Sequence, residues 1–142
     1  MKEIRYSTAD EAVKAVKSHD HIHLSSVASV PHCLIDALVR RADRGEISDV
    51  RFHHFHTEGP APYSDPKYTG IFFDQGFFIG PNVRANVNTG YADYLPVHLG
   101  ESQKLYRSGI LPCDVAMVQV SLPDENGFVS LGTSVVPSGC GQ

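Results

Sequence analysis

The chain has 142 residues, of which 42% are hydrophobic and 20% charged, and a formal net charge of −4. These values predict one folded domain with a buried core and exclude a disordered chain. Twelve Lys and Arg residues against sixteen Asp and Glu residues give no basic footprint for nucleic acid. No apolar run approaches the ~18 residues of a membrane span, and the N-terminus lacks an apolar signal core. We therefore expect a cytoplasmic protein without a membrane or nucleic-acid partner.

Predicted helices and strands alternate through the first half of the chain. Overlapping capping boxes, Ser7 with Asp10 and Thr8 with Glu11, predict a helix over 8–18. A strand over 21–28, a helix over 31–45 and a strand over 50–57 follow. The buried stripe of the second helix is expected to consist of Leu34, Ile35, Leu38, Val39 and Ala42.

The second half continues the alternation after a proline-rich loop over 58–68. An apolar patch over 72–79 comes first and is assigned to no element. The remaining predicted elements are a helix over 82–89, a strand over 92–99, a helix over 101–108, and strands over 114–120 and 128–131. Strands joined by helices and short turns predict an α/β fold, with an open, mostly parallel sheet and helices on both faces.

Two histidine pairs suggest one possible chemistry. His21 and His23 lie two residues apart on a predicted strand, and His54 and His56 do the same on the next. Such spacing points both imidazoles of a pair to one face, as a metal hydrolase needs. No carboxylate is placed to complete a metal site, so ordinary polar residues at strand ends are the favoured interpretation and no metal ligand is assigned.

The three cysteines suggest neither a disulfide framework nor a nucleophile. Their number is odd and no CxxC spacing occurs. Cys33 opens a helix, where the helix dipole could lower the pKa of a thiol, but a small buried hydrophobe is the favoured interpretation. Cys113 is expected in the core, and Cys140 is assigned no role.

The turns that follow the predicted strands are more informative. In an open parallel sheet, ligands bind beyond the carboxyl ends of the strands. Those ends carry small, hydroxyl-bearing and glycine-bearing segments close to helix starts, and backbone N–H groups there suit a carboxylate, a phosphate or a thioester carbonyl. Ordinary helix capping is an equally good explanation. The candidate binding residues in these turns are Ser29, Thr57, Glu58, Gly59, Asn82 and Arg84.

Six ordered segments of the chain look familiar. They are HTEGPAPY (56–63), FIGPNVR (78–84), GYADYLPV (90–97), RSGILP (107–112), VQVSLPDENGF (118–128) and SLGTS (130–134). Together they resemble the N-terminal part of the acetyl-CoA hydrolase/transferase family, most closely its 4-hydroxybutyrate CoA-transferase branch. The resemblance spans residues 3 to 134.

The resemblance implies a two-domain enzyme that moves CoA from an acyl-CoA to a free carboxylic acid. In such enzymes a glutamate attacks the thioester and becomes a glutamyl-CoA thioester. That glutamate lies in the C-terminal half of the family, and Glu58 does not match its motif. No catalytic residue is therefore assigned, CoA is a substrate and no bound cofactor is expected. The six candidate residues match segments that border the family's substrate cleft, where they would position the acid and the acyl-CoA.

The resemblance divides the chain into two segments and leaves several alternative functions open. Residues 1–134 are expected to form the CoA-transferase-like domain, and 135–142 an atypical tail that suggests truncation or a shifted reading frame. The fragment alone is then expected to be inactive, and an exposed domain interface favours a homo-oligomer. The alternatives are an acetyl-CoA hydrolase, a non-catalytic binding or oligomerisation module, and the metal hydrolase described above.

Overall fold

A single parallel sheet of five strands organises the chain. The computed structural model describes residues 5–134; the predicted 135–142 tail lies outside the described residues. The strand order is β4-β3-β2-β1-β5, and every neighbouring pair is parallel. This arrangement confirms the predicted fold class. The strands are β1 (His21–Leu24), β2 (Val50–His54), β3 (Phe72–Gly76), β4 (Ala92–Tyr94) and β5 (Val115–Met117).

Most of the connections between the strands carry an α-helix. The helices are α1 (Ala9–Ala12), α2 (His32–Asp43), α3 (Arg84–Thr89) and α4 (Ser102–Arg107). The β2–β3 connection instead uses two short 3₁₀ turns, Pro62–Ser64 and Pro66–Tyr68. Since proline fixes the backbone and removes a donor, this loop turns tightly without forming a longer helix.

The first helix is shorter than the sequence predicts. The Thr8 and Glu11 capping box is present, but α1 ends at Ala12 and continues only as a 3₁₀ turn to Ala15. The guanidinium of Arg41, a buried residue of α2, donates to the carbonyl oxygens of Val13 and Val16. Because these donors satisfy carbonyls at the end of the helix, the chain can leave the helix before residue 18.

One face of the sheet is apolar. Ile22 on β1 pairs in register with Phe52 on β2, so both side chains point to the same face. Both are fully buried, and Ile35 and Leu38 of α2 belong to the same core. The ring of Phe52 lies 4.7 Å from that of Tyr63. This face, between the sheet and α2, forms the hydrophobic core.

The opposite face is polar and aromatic. His23 pairs in register with His53, and both are buried there. Tyr106 of α4 closes over them: its hydroxyl lies 3.0 Å from His23 Nδ1, and its ring packs edge-on against both imidazoles. Helices therefore cover both faces, as predicted.

Two strand predictions need correction. The apolar patch at 72–79 contains β3, which the sequence hides because buried Asp74 interrupts its apolar run. Residues 128–131 form no strand: the backbone is held by a local loop in which Asp124 caps the amides of Asn126 and Phe128. The other strands are correctly placed but end earlier than expected, at Leu24, His54, Tyr94 and Met117.

Candidate functional site

Three turns meet at the carboxyl edge of the sheet. They follow β1, β2 and β3, and because these strands are parallel neighbours their turns emerge on the same edge. A bridge pairs Val27 with Thr57 and so joins the first turn to the second. Asn82 joins the third turn to the second through its side chain. All six predicted binding residues lie in these turns or at the first residue of α3.

Thr57 is the hub of this edge. It is 1% exposed, and its hydroxyl lies 2.9 Å from the Tyr63 hydroxyl. The same hydroxyl accepts a bond from the Asn82 amide at 3.1 Å. Both contacts of this hydroxyl are internal to the protein.

The Asn82 amide fastens two turns together. Its Nδ2 donates to the Thr57 carbonyl at 3.0 Å and to the Gly59 carbonyl at 3.2 Å, besides the Thr57 hydroxyl. Gly80 leaves room for this side chain, because a Cβ at that position would lie 2.8 Å from Asn82 Oδ1. That oxygen is buried and accepts no hydrogen bond from residues 5–134.

Ser29 belongs to the turn after β1. It is 8% exposed, its amide donates to the Ser26 carbonyl, and its own carbonyl accepts from the Ser25 hydroxyl. Ser25 also accepts from the amide of Gln119, just beyond β5. This turn is thereby fixed to both of its neighbouring strands.

The accessible part of the edge consists of Glu58, Gly59 and Arg84. The Glu58 side chain is 56% exposed, and its carboxylate lies 3.2 Å from His56 Nε2. Gly59 adopts a positive φ of 77° beside the start of α2, where a Cβ would lie 3.3 Å from the His32 ring. Arg84 is exposed at the first residue of α3. A guanidinium, a carboxylate and a glycine backbone along this edge are groups that can orient a small polar ligand.

Backbone strain marks the same edge. Val27 has a φ of 58°, in the left-handed region that a β-branched residue rarely adopts. Its amide donates to the His56 carbonyl at 3.0 Å. Strain of this kind persists only where the surrounding structure holds it, and it clusters at functional sites.

Sequence reasoning missed Tyr63 and Val27 as parts of this edge. Tyr63 is 2% exposed, and burial, followed by the nearby charge of Asp74, raises the pKa of its hydroxyl well above the usual range. The tyrosine therefore stays neutral and acts only as a hydrogen-bonding group. Its one sequence signal is its place inside the matched segment 56–63, and no pattern foretells the φ of Val27.

The histidine pairs do not converge on a metal site. His54 points to the apolar face, opposite to His21 and His23, and lies with Nε2 2.8 Å from buried Asp74. His53 takes its place on the polar face: its Nε2 lies 2.8 Å from His21 Nδ1, and the two rings stack. Within residues 5–134 no group of three or more His, Cys, Asp or Glu side chains is arranged for a metal ion.

Burial keeps two of these imidazoles neutral. It lowers the pKa of His23 to about 4, with a smaller contribution from His54. It also lowers the pKa of His53 to about 3, helped by the neighbouring His21. Both of these imidazoles are therefore neutral at neutral pH.

The predicted burial of Cys33 and Cys113 is wrong. Cys33 is exposed on the solvent side of α2, and Cys113 is half-buried just before the edge strand β5. The periodicity of α2 explains the first: residues 34, 35 and 38 take the inward side and leave 33 outside.

The sheet and its edge define an open parallel α/β domain with polar turns along the carboxyl ends of its strands. Comparison with known proteins identifies it further. The chain belongs to the acetyl-CoA hydrolase/transferase family, whose N-terminal domain profile matches residues 3–138. No helix among residues 5–134 is both long and apolar enough to span a membrane.

The most similar relatives include two named CoA-transferases. A succinyl-CoA:acetate/propanoyl-CoA:succinate CoA transferase from Fasciola hepatica is 35% identical over 91% of this chain and 27% of its own length. A 4-hydroxybutyrate coenzyme A transferase from Clostridium kluyveri is 32% identical over 89% of the chain and 29% of its length. The chain thus spans less than a third of these proteins.

Solved structures carry the same fold. RipA from Yersinia pestis superposes with a TM-score of 0.79 at 28% identity, over 89% of this chain and 31% of its own. A 4-hydroxybutyrate CoA-transferase from Porphyromonas gingivalis superposes with a TM-score of 0.64 at 27% identity, over 89% and 27%. The fold matches the N-terminal part of CoA-transferases.

Proposed function

We propose that this domain forms the acid-binding part of a CoA-transferase. CoA would pass from an acyl-CoA to a short carboxylic acid by way of a glutamyl thioester, on a glutamate outside the described residues. The main support for this proposal is that three polar turns meet at one edge of the sheet, in a chain whose relatives are named CoA-transferases. CoA is then a substrate, and no further cofactor is needed.

Different groups of this edge would contact different parts of the substrates. The Arg84 guanidinium would attract the carboxylate of the acid, and backbone N–H groups near Ser29 and Gly59 would donate to it or to the acyl oxygen. Glu58, held beside His56, would border the site and restrict how an anion enters.

A fusion tests this function. The chain is joined to the C-terminal part of the Clostridium kluyveri relative in place of that protein's own N-terminal third, and CoA transfer to 4-hydroxybutyrate is measured. We expect transfer by the fusion and none by the chain alone. A folded fusion that transfers no CoA would contradict the proposal, and release of free CoA without an acid acceptor would favour a hydrolase.

Arg84 provides the matched comparison within that fusion. Arg84→Gln is expected to raise KM for the acid by about tenfold, since an exposed charge-assisted contact contributes on the order of 1–2 kcal/mol. Arg107→Gln removes an equally exposed arginine from the end of α4 and should leave KM unchanged. Equal KM values for the two variants would argue against a role for Arg84 in acid binding.

Self-association belongs to the same proposal. Two large apolar side chains, Ile110 and Leu122, are 74% and 87% exposed. Exposed apolar side chains favour contact with another protein surface, so the isolated chain should form homo-oligomers in the cytoplasm. Light scattering decides the matter: a monomer at high concentration would contradict it.

A further inference from the structure

Behind the proposed acid site, Asn82 makes a set of hydrogen bonds that the proposed function does not use. The Asn82 amide has two hydrogens, yet it faces three acceptors: the Thr57 carbonyl, the Thr57 hydroxyl and the Gly59 carbonyl. One hydrogen is therefore shared between acceptors. These three oxygens also fix the orientation of the amide, because the reversed amide would bring oxygen against oxygen.

Neither Asn82 nor Thr57 presents an exposed polar atom to a ligand. All amide hydrogens of Asn82 are engaged, and its Oδ1 is buried against Gly80. The hydroxyl of Thr57 accepts from Asn82 and pairs with Tyr63. Both residues are predicted from the sequence to bind the substrate, whereas their polar side-chain atoms are engaged inside the protein.

We propose that Asn82, Thr57 and Tyr63 are positioning residues. They hold the Glu58–Gly59 turn where its backbone can contact the acid. The inference rests on the proposed acid site, because it concerns the groups that hold that site in place. Asn82 tethers the turn at both ends, through Thr57 and Gly59. Tyr63, neutral and buried, anchors Thr57 from the core side, where its ring packs on Phe52.

A buried network of this type is sensitive to the chemistry of each member. Asn82→Asp has nearly the same shape, but it replaces two donors by an oxygen that would face three acceptors. Thr57→Val keeps the volume but leaves Tyr63 without its partner, whereas Thr57→Ser retains the hydroxyl. A residue that only fills space would tolerate the isosteric changes, and a positioning residue would not.

The experiment follows acetate binding to the isolated chain by amide NMR. Asn82→Asp is expected to weaken acetate binding at least ~10-fold and to shift the Gly59 amide resonance, with the signals of β1 and β2 unchanged. Asn88→Asp makes the same substitution at an exposed position of α3 and should alter neither. Thr57→Val should resemble Asn82→Asp, and Thr57→Ser should restore binding to within about twofold.

Different outcomes separate the two proposals. If the parent chain binds no acetate, the proposed acid site fails, but the Gly59 resonance still reports on positioning. If Asn82→Asp and Asn82→Ala both leave that resonance and the acetate affinity unchanged, the positioning role is overturned. Should Asn82→Asp unfold, the Thr57→Val and Thr57→Ser pair carries the test, and equal affinities for these two would overturn the proposal.

Discussion

The two faces of the sheet carry different kinds of side chain and stabilise the fold in different ways. On one face, Ile22, Leu24 and Phe52 pack against α2 without any ionisable group of their own. On the other, His23 and His53 pack under Tyr106 of α4. These three apolar side chains stabilise the fold at any pH, whereas His23 and His53 do so only while their imidazoles remain neutral.

The largest expected effect comes from the apolar face. Phe52→Ala removes a fully buried ring that packs on Tyr63 and Phe72. We expect the free energy of unfolding to fall by about 3–5 kcal/mol, measured by urea denaturation.

The matched control for that substitution is Phe128, which is 73% exposed. Phe128→Ala should change the free energy of unfolding by less than about 0.5 kcal/mol. Similar losses for the two phenylalanines would mean that the apolar face does not form the core of the fold.

The histidine face predicts a loss of stability in acid. In the unfolded chain these imidazoles titrate near 6.5, while in the folded chain the pKa of His23 is about 4 and that of His53 about 3. The unfolded state therefore binds more protons as the pH falls below 6.5, and the free energy of unfolding decreases through that window. The full loss is on the order of 3 kcal/mol for His23 and on the order of 5 kcal/mol for His53.

Urea denaturation at several pH values measures this effect. His53→Gln should reduce the decrease between pH 6.5 and pH 4 to the part that His23 contributes, since glutamine takes up no proton. His98→Gln changes an exposed histidine and should leave the slope intact. A slope that is the same in the parent and in His53→Gln would contradict the assignment of the acid sensitivity to this face.

The smallest effect concerns the helix beside the apolar face. Thr8→Ala removes the cap of α1, whose hydroxyl accepts from the Glu11 amide, and should lower the free energy of unfolding by about 1 kcal/mol. Ser7, the other predicted cap, makes no side-chain hydrogen bond within the described residues, so Ser7→Ala should have almost no effect. Thermal unfolding compares the two, and a greater loss for Ser7→Ala would reverse the assignment.

The sequence predicts the fold better than it predicts the site. Alternating patterns locate β1, β2, α2 and α4 within a few residues, because apolar spacing reports directly on burial. The same reasoning misses β3, since buried Asp74 breaks the apolar run that marks a strand. It also predicts a strand over 128–131, where a side-chain cap holds a loop instead.

The sequence predicts where the site lies but does not predict which of its residues face a ligand. Turns after parallel strands must share an edge, so the positions of Ser29, Gly59 and Arg84 follow from topology alone. Which residues face a ligand depends on hydrogen bonds between turns that lie far apart in the sequence. Thr57 and Asn82 look like binding groups in the sequence, and only their contacts show that they are turned inward.

We propose that the carboxyl edge of β1, β2 and β3 holds a short organic acid. The most direct measurement is a set of NMR contacts between methyl-labelled acetate and the amide protons of the isolated chain. We expect contacts to the amide protons of Ser29 and Gly59, with none to the histidine face around His53. Contacts that fall only on the histidine face, or saturation without any contact at the carboxyl edge, would contradict it.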